Sequence, residues 1–516
     1  MLKKNATVWV EMRPALDGFA GIPQETRLLF RGLSTIDSFE VEGLLQTSLR
    51  PITFLPQEAK KNGKPENEAN RLGSYSNLLI SLTDKPSRKL SHQVSYFIKK
   101  RLTSHSLLLA TVLLGKLKRV KTIIFEPRFF EDFVWQTFFS KTLPSSDYPV
   151  VTGKRYRVVE TPWNNFQTVG LNSLIFSSQA KYPFLDTRSA EIFIAQTPYP
   201  GRLSKETSLI VRYHDALPIF MPHLFANKAR HHAAHFHALM SNAKNGAYFA
   251  CVSEATRQDL LRVAPELENR AVTIPNMVSH HFFPDNSLPD RPAKIVRARL
   301  NVDNSHASPT FNNLSNQREF YREHLEQTPF RYLLMVSTIE PRKNHVRLIS
   351  AFEALRAQID PMLKLVIVGN VGWDVEPIMK EMKPWIDQGA LFVLQNVPAA
   401  DLRVLYKHAL ATVCPSIAEG FDFAGVECMR SGGVTVASDI PVHREIYGDA
   451  SLYFDPHSTE SLVHQLKSVI NGEDSVAVAD RLRQHGQEVS ARYLPDAILP
   501  LWKKFLESVI DHKHSR

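Results

Sequence analysis

Residues 414–443, CPSIAEGFDFAGVECMRSGGVTVASDIPVH, decide the fold of the chain. Short apolar runs at 411–414 and 434–437 are typical of buried parallel strands. Between them a helix is predicted to begin near Val426 and to end at Gly432 and Gly433. The stretch therefore predicts a strand–helix–strand unit of an open α/β sheet, which binds ligands at the carboxyl ends of its strands.

Two carboxylates fall at that sheet edge. Glu419 stands in the turn after the first strand, and Glu427 lies inside the helix. Two glutamates eight residues apart prove nothing alone, because many surface helices carry such pairs. Their function has to be judged from the rest of the chain.

Three segments resemble the retaining glycosyltransferases of family 4, the glycosyltransferase group 1 proteins, which have the GT-B fold. They are 336–345 (VSTIEPRKNH), 419–445 (from E-G-F to D-I-P-V-H-R-E) and 448–457 (GDASLYFDPH). The resemblance is close over about 330–470, thin in the first half, and absent from about 56–161. It implies an α/β protein with two doubly wound, Rossmann-like domains that face a cleft.

A chain of 516 residues is too long for one core, so at least two domains are expected. Together with the resemblance, the sequence predicts four parts. They are an N-terminal acceptor-binding domain at 1–284 with a basic helical insertion at about 56–161, a linker at 285–326, a C-terminal nucleotide-sugar-binding domain at 327–487, and a C-terminal helix at 488–516 that crosses back to the N-terminal domain.

Composition favours a globular protein of a reducing compartment. Hydrophobic residues make up 43% of the chain and charged residues 22%. The three cysteines argue against a disulfide framework. No secretory signal opens the chain, and the longest apolar run, 107–115, is shorter than the roughly 20 residues that span a bilayer. We expect a cytoplasmic protein.

The net charge of +10 has a local origin. Residues 55–130 contain 15 Lys or Arg against 5 Asp or Glu, a difference of +10. Apolar stretches stand beside the basic clusters, which suits an anionic membrane surface at the inner face of the cell membrane. The alternative is a solvated basic insertion whose apolar residues pack on the domain. Nucleic acid is disfavoured because no nucleic-acid module is present.

The phosphates of a nucleotide-sugar donor need positive charge. Many sugar transferases supply it with a divalent metal held by Asp-x-Asp, and this chain contains no such motif. Arg342 and Lys343 precede a predicted helix that starts near His345, so side-chain cations and a helix N-terminus can replace the metal. We therefore expect neither a metal site nor a cofactor.

The resemblance assigns the remaining donor residues. Glu427 would accept the ribose hydroxyls, and Glu419 would face the sugar ring and act in catalysis. Three neighbouring residues of the turn complete the donor site: Gly420, Phe421 and Phe423. Asp422 is also predicted to bind donor, although relatives usually have Gly there. A second departure is Thr338, where many relatives have Arg.

The first half of the chain is expected to supply the acceptor-binding side of the cleft. Gly18 and Gly21 form a turn between the first strand and the first helix, which is predicted at Thr26–Leu33. Such a turn lets a ligand approach backbone N–H groups. A buried strand in the segment 208–218 delivers His214 and Asp215 to its carboxyl end. The resemblance implies that His214 lies near the reacting hydroxyl.

A histidine-rich run follows. His231 and His235 are four residues apart and could share a helix face, as zinc ligands do. No Cys or carboxylate set completes a site, so zinc is disfavoured. The aromatic stretch at 129–143 is expected to be core.

The prediction is a metal-independent retaining hexosyltransferase. It would move a hexose, favoured as mannose from GDP-mannose, to a glycan or lipid-linked acceptor in synthesis of the polysaccharide or O-antigen type. The favoured sugar follows a resemblance to bacterial mannosyl- and rhamnosyltransferases. The alternatives are a weakly active or inactive nucleotide-sugar-binding scaffold and another GT-B activity such as an epimerase or phosphorylase.

Overall fold

The computed structural model describes residues 5–16, 18, 21–49, 68–83, 90–113, 115, 119–300, 307–326 and 329–514. Within them the first half of the chain supplies ten strands: β1 (Ala6–Glu11), β2 (Phe39–Gln46), β3 (Arg119–Val120), β4 (Thr122–Phe125), β5 (Tyr156–Val159), β6 (Phe184–Leu185), β7 (Ile192–Ala195), β8 (Ser208–Tyr213), β9 (Tyr248–Cys251) and β10 (Ala271–Thr273). Eight of these form one sheet in the order β10-β9-β8-β7-β1-β2-β5-β4, and β3 pairs with β6. Only β4, at the edge of the larger sheet, runs antiparallel to its neighbour in the described chain.

The second half forms a parallel sheet of six described strands in the order β13-β12-β11-β14-β15-β16. They are β11 (Tyr332–Val336), β12 (Lys364–Val368), β13 (Leu391–Leu394), β14 (Ala411–Cys414), β15 (Thr435–Ser438) and β16 (Ser451–Phe454). The predicted α/β class with two doubly wound sheets is confirmed.

Helices alternate with the strands. They are α1 (Ile22–Leu33), α2 (Glu68–Thr83), α3 (Leu90–Leu113), α4 (Glu131–Val134), α5 (Tyr148–Thr152), α6 (Trp163–Ser173), α7 (Leu217–Phe220), α8 (Lys228–Lys244), α9 (Glu254–Val263), α10 (Arg291–Arg299), α11 (Leu314–His324), α12 (His345–Gln358), α13 (Glu376–Asp387), α14 (Ala399–His408), α15 (Phe423–Arg430), α16 (Pro441–Tyr447), α17 (Thr459–Ile470), α18 (Ser475–Ala491) and α19 (Pro495–His514).

Each sheet is covered by apolar cores on both faces. Val8 and Val10 of β1 enter one core, and Trp9 between them enters the core on the other side. In β11, Leu334 faces one core while Leu333 and Met335 face the other. This alternation explains the continuous apolar runs, because both faces of these strands are buried.

Two helices begin earlier than the sequence predicts. α15 begins at Phe423 and not at Val426, because the Asp422 side chain accepts a hydrogen bond from the backbone N–H of Ala424 and caps the helix. α1 begins at Ile22 and not at Thr26, with a proline in its first turn. Both corrections move a helix N-terminus towards the cleft.

Two segments expected to be irregular or inserted contain regular structure. The described part of 56–161 is helical only in part, since β5 joins the sheet beside β2 through its buried residues. The predicted linker at 285–326 includes α10 and α11, whose Val296 and Tyr321 pack in a core of the second sheet. The aromatic stretch at 129–143 is mainly core, as expected, although Phe129 is exposed.

Helix α19 packs beneath the first sheet although it follows the second sheet in the chain. Trp502 and Leu506 are fully buried in the same core as Val8 and Val10. The guanidinium of Arg212, from β8, lies over the Trp502 ring at 5.3 Å. The first sheet therefore depends on the last helix for part of its core.

Candidate active site

A cavity of about 380 Å³ lies where the carboxyl ends of the two sheets face each other. Its walls are the segments that follow β1, β8, β9 and β10 on one side and β11 to β14 on the other. The structure brings all twelve residues predicted as site residues to this cavity: Gly18, Gly21, His214, Asp215, Arg342, Lys343, Glu419, Gly420, Phe421, Asp422, Phe423 and Glu427. This is the edge at which open α/β sheets bind ligands.

The glycine turn after β1 needs its glycines. Gly18 and Gly21 have φ angles of 63° and 71°, in the left-handed region that residues with a Cβ rarely adopt. Gly21 precedes α1 directly, so the turn presents the start of that helix to the cavity.

Arg342 and Lys343 lie in a single 3₁₀ turn between β11 and α12. Asn344, with φ 60°, joins that turn to α12. Arg342 Nη1 donates to Glu419 Oε2 at 2.7 Å, and Arg342 Nε donates to Glu340 Oε1 at 2.9 Å. Lys343 Nζ donates to the other oxygen of Glu419. One carboxylate thus bridges both cations.

These contacts set the charge state of the bridge. Burial alone would raise the pKa of Glu419, but Arg342 and Lys343 outweigh burial and hold that pKa below its usual value. Burial raises the pKa of Glu340 despite the same two cations. With Glu419 ionised, the two cations are balanced by carboxylates, and an incoming phosphate would compete with Glu419 for the same N–H donors.

Glu427 is buried and bridged across the cleft. Its Oε1 accepts a hydrogen bond from Gln24 Nε2 at 2.8 Å, and its Oε2 accepts one from the Tyr406 hydroxyl at 3.1 Å. Burial raises the pKa of Glu427 to about 7, although both hydrogen bonds oppose the shift. Glu427 can therefore change charge near neutral pH.

The turn at Gly420 packs directly against the first domain. A Cβ at this position would lie 1.7 Å from the carbonyl oxygen of His214, so only glycine permits the approach. The Gly420 carbonyl accepts hydrogen bonds from Ser253 Oγ at 2.8 Å and Thr256 Oγ1 at 3.3 Å. The structure is thus that of a closed cleft, with the two halves in backbone contact beside Glu419.

His214 and Asp215 enter the cavity at the end of β8. Burial, and then Arg212, lower the pKa of His214 to about 3, so its ring is neutral. Its Nε2 is buried and has no hydrogen-bond partner within the described residues. Burial raises the pKa of Asp215, whose Oδ1 accepts from the backbone N–H of Leu217 at 3.1 Å. The neutral His214 ring therefore has a nitrogen available for a ligand hydroxyl.

Asp422 lines the cavity but already has structural partners. Besides capping α15, its Oδ2 lies 3.4 Å from His443 Nε2. Burial opposes ionisation, but the His443 contact and Lys343 hold the pKa of Asp422 below its usual value. The presence of Asp422 in this turn is thus explained by its function as the N-terminal cap of α15.

Several cavity residues were not predicted as site residues. They are mainly amides and hydroxyls: Gln24, Asn276, Ser337, Thr338, Asn370 and Asn396. Gln24 was missed because the first helix was predicted to start at Thr26. A proline after a glycine turn, which often marks the first helical turn, was the available signal.

The histidine run forms no metal site within the described residues, where no group of three or more His, Cys, Asp or Glu could hold an ion. His231 stacks on Phe225, and His235 Nε2 lies 3.2 Å from the Tyr213 hydroxyl. The three cysteines are buried and free. In the part of the chain that is described, the helices are too short or too polar to cross a bilayer.

Comparisons with known proteins agree with this geometry. Residues 316–489 match the family of glycosyl transferases group 1. The O-antigen chain mannosyltransferase B of Escherichia coli is 32% identical over 139 residues, which are 27% of this chain and 36% of that protein. The chain thus spans about a third of this relative's length.

Two solved structures are similar over nearly the whole chain. Sucrose-phosphate synthase from Thermosynechococcus elongatus has a TM-score of 0.57 at 13% identity, covering 98% of this chain and 100% of that one. TarM has a TM-score of 0.52 at 12% identity, with coverage of 98% and 99%. At such identities the likeness shows the fold alone. Over residues 316–489 the chain is thus similar to the group 1 glycosyltransferases, and its two facing sheets have the GT-B fold.

Proposed function

We propose that this protein is a retaining hexosyltransferase that uses a nucleotide-sugar donor and needs no metal ion. The single observation that carries the proposal is the bridge of Arg342 and Lys343 to Glu419 inside the cleft that also holds Glu427. Two fixed cations at the start of α12 are suited to a departing diphosphate, because they and the helix N-terminus stabilise its developing charge.

Donor binding would proceed by exchange at this bridge. The diphosphate takes the N–H donors of Arg342 and Lys343, and Glu419 is released from them. The freed carboxylate then accepts hydrogen bonds from sugar hydroxyls, while Glu427 accepts those of the ribose. The ion pairs of the unliganded cleft thus keep each group in place until the donor arrives.

Transfer requires one bond to form and one to break. The acceptor oxygen bonds to the anomeric carbon on the face that the diphosphate leaves, and the bond from that carbon to the phosphate oxygen breaks through an oxocarbenium-like state. The hydroxyl proton passes to the leaving phosphate oxygen. His214 is neutral, and its Nε2, which has no hydrogen-bond partner among the described residues, would orient a hydroxyl beside this carbon. Closure of the two domains excludes water and thereby hydrolysis.

We favour mannose from GDP-mannose as the donor and a glycan or lipid-linked glycan as the acceptor. The support is the similarity of 139 residues of this chain to an O-antigen chain mannosyltransferase. The proposed location is the cytoplasm, at the inner face of the cell membrane. The excess of basic residues between 55 and 130 supports it. Most of that segment's lysines lie outside the described residues.

A panel of nucleotide sugars with EDTA present tests the proposal. Thermal shift identifies the donor, because a ligand that binds the folded state raises the melting temperature. Radiolabelled donor and candidate acceptor glycans are then incubated with the wild-type chain and with Lys343→Ala. The matched control is Lys383→Ala, a half-buried lysine of α13 in the same domain that pairs with Asp387.

Transfer that survives EDTA, falls at least ~100-fold in Lys343→Ala and persists in the control is expected. Transfer at an unchanged rate in Lys343→Ala would contradict the proposal, as would a strict need for a divalent ion. Donor binding without transfer to any acceptor would favour the alternative function, a nucleotide-sugar-binding scaffold.

A further inference from the structure

Helix α3 has one buried face and carries exposed apolar residues on the other side. Ser104 and Leu108 lie on its buried face, where the helix packs against α6. Ile98, Leu102, Leu109 and Leu113 are between 52% and 76% exposed. At 100° per residue, these four positions fall within a narrow arc on the other side of the helix. A stripe of exposed Ile and Leu, interrupted by the exposed His105, is therefore left without a partner in the described structure.

A second cavity, of about 480 Å³, lies on the other side of the same helix, where Ser104 and Leu108 line it. It lies between α3, the end of α6 and the start of α8, and Arg101 and Arg230 both line it. Neither guanidinium forms an ion pair with a described residue, and Arg230 only donates to Thr168 Oγ1 at 3.1 Å. Two arginines in one cavity without an acidic partner favour an anionic ligand.

The inside and the rim of this cavity add two observations. Ser104 is 4% exposed, lines the cavity, and its hydroxyl has no hydrogen-bond partner within the described residues. A buried hydroxyl without a partner is costly unless a ligand satisfies it. At the rim, Ile175 and Phe176 are 77% and 71% exposed. The site thus combines one buried hydroxyl and two exposed guanidinium groups with bulky apolar side chains at its rim.

We propose that this cavity binds the phosphate headgroup of an anionic membrane lipid. Arg101, Arg230 and the Ser104 hydroxyl would hold the phosphate, while the α3 stripe and the Ile175–Phe176 rim enter the acyl boundary. A free phosphate would satisfy the arginines but would leave the apolar stripe in water. A lipid meets both requirements, as expected for a protein that lies on a membrane surface.

The inference gives the proposed membrane location a specific site and rests on that part of the proposed function. It does not rest on sugar transfer. Binding is therefore measured without donor or acceptor, and a negative result leaves the transferase proposal standing.

Co-sedimentation with phosphatidylglycerol–phosphatidylcholine vesicles tests the site in the full chain. The charge variant is Arg101→Gln with Arg230→Gln, matched by Lys503→Gln with Lys504→Gln on exposed positions of α19. The apolar variant is Leu109→Ser with Leu113→Ser, matched by Leu314→Ser with Val476→Ser, which are 70% and 73% exposed. Thermal denaturation of each variant verifies folding.

We expect the affinity for vesicles to fall about 30-fold in the charge variant, because each of the two basic residues near an anionic surface contributes about fivefold to that affinity. We expect a loss of at least ~10-fold in the apolar variant, and no change in either control. Equal binding to pure phosphatidylcholine, unchanged binding of the charge variant, or soluble glycerol phosphate binding as tightly as vesicles would overturn the proposal.

Discussion

The side-chain amide of Gln24 donates to Glu427 Oε1 at 2.8 Å, although the two residues are 403 positions apart. The bond joins the first turn of α1 to the helix of the second domain that is proposed to hold the donor's ribose. A donor that used both oxygens of Glu427 would have to displace Gln24. Domain closure and nucleotide binding are thus linked at one carboxylate.

Donor binding is expected to strengthen as the pH rises from 6 to 8. Glu427, with a pKa of about 7, accepts hydrogen bonds from two ribose hydroxyls best when it is ionised. Isothermal titration of the identified donor across this range checks the prediction. In Glu427→Gln the affinity should fall about 10- to 100-fold and lose its pH dependence. An unchanged pH profile in that variant would assign the titration to another group.

The same carboxyl should reduce stability at higher pH. Its folded pKa, about 7, lies above the ordinary 4.5, so the folded state holds the proton more tightly than the unfolded state. The protonated carboxyl contributes on the order of 3 kcal/mol to the free energy of unfolding. This contribution is complete below pH 4.5 and is lost as the pH rises to about 7. Chemical denaturation of Glu427→Gln should show a flatter dependence over this window. A slope as steep as that of the wild type would contradict the prediction.

Glu419→Gln should have opposite effects on two ligands. Because Glu419 neutralises Arg342 and Lys343, its loss frees both cations, and a nucleoside diphosphate without sugar should bind about tenfold more tightly. Sugar transfer should fall at least ~100-fold, since the carboxylate that would hold the sugar is gone. Titration calorimetry and turnover measure the two effects. Weaker binding of the diphosphate would show that Glu419 organises the cations and does not compete with phosphate.

Asp422→Ala is expected to lower the free energy of unfolding. The variant loses the cap of α15 and the His443 contact, at a cost of about 1–2 kcal/mol. Ser458→Ala, which removes the cap of α17 at a residue that does not line the cavity, is the matched control. Denaturation should show similar losses in both variants. A changed preference among nucleotide sugars in Asp422→Ala alone would instead assign Asp422 to donor selection.

Gly420→Ala should prevent the closed cleft. The added Cβ would meet the His214 carbonyl at 1.7 Å, and that atom belongs to the backbone and cannot move aside. Small-angle scattering should report a larger radius of gyration, and transfer should be lost while the melting temperature stays near that of the wild type. Gly73→Ala, where nothing lies within 4 Å, is the control. An unchanged radius would mean that the domains close in another way.

The cavity residues could be predicted because the sequence marks the strand ends that bear them. His214, Arg342 and Glu419 each follow an apolar run, and the carboxyl ends of parallel strands meet at one edge. The bond between Gln24 and Glu427 could not be predicted, since it depends on how the two domains face each other. The function of Asp422 as a cap was missed because the helix was predicted to begin at Val426.

Helix α19 has a consequence for synthesis of the protein. Trp502 and Leu506 complete a core whose other residues, such as Val8 and Val10, emerge from the ribosome several hundred residues earlier. The second sheet closes within a continuous stretch of chain and can fold while translation continues. The N-terminal half is synthesised first, and part of its apolar core stays uncovered until α19 has been synthesised. Chaperone contact during elongation is therefore expected to concentrate on the amino-terminal half.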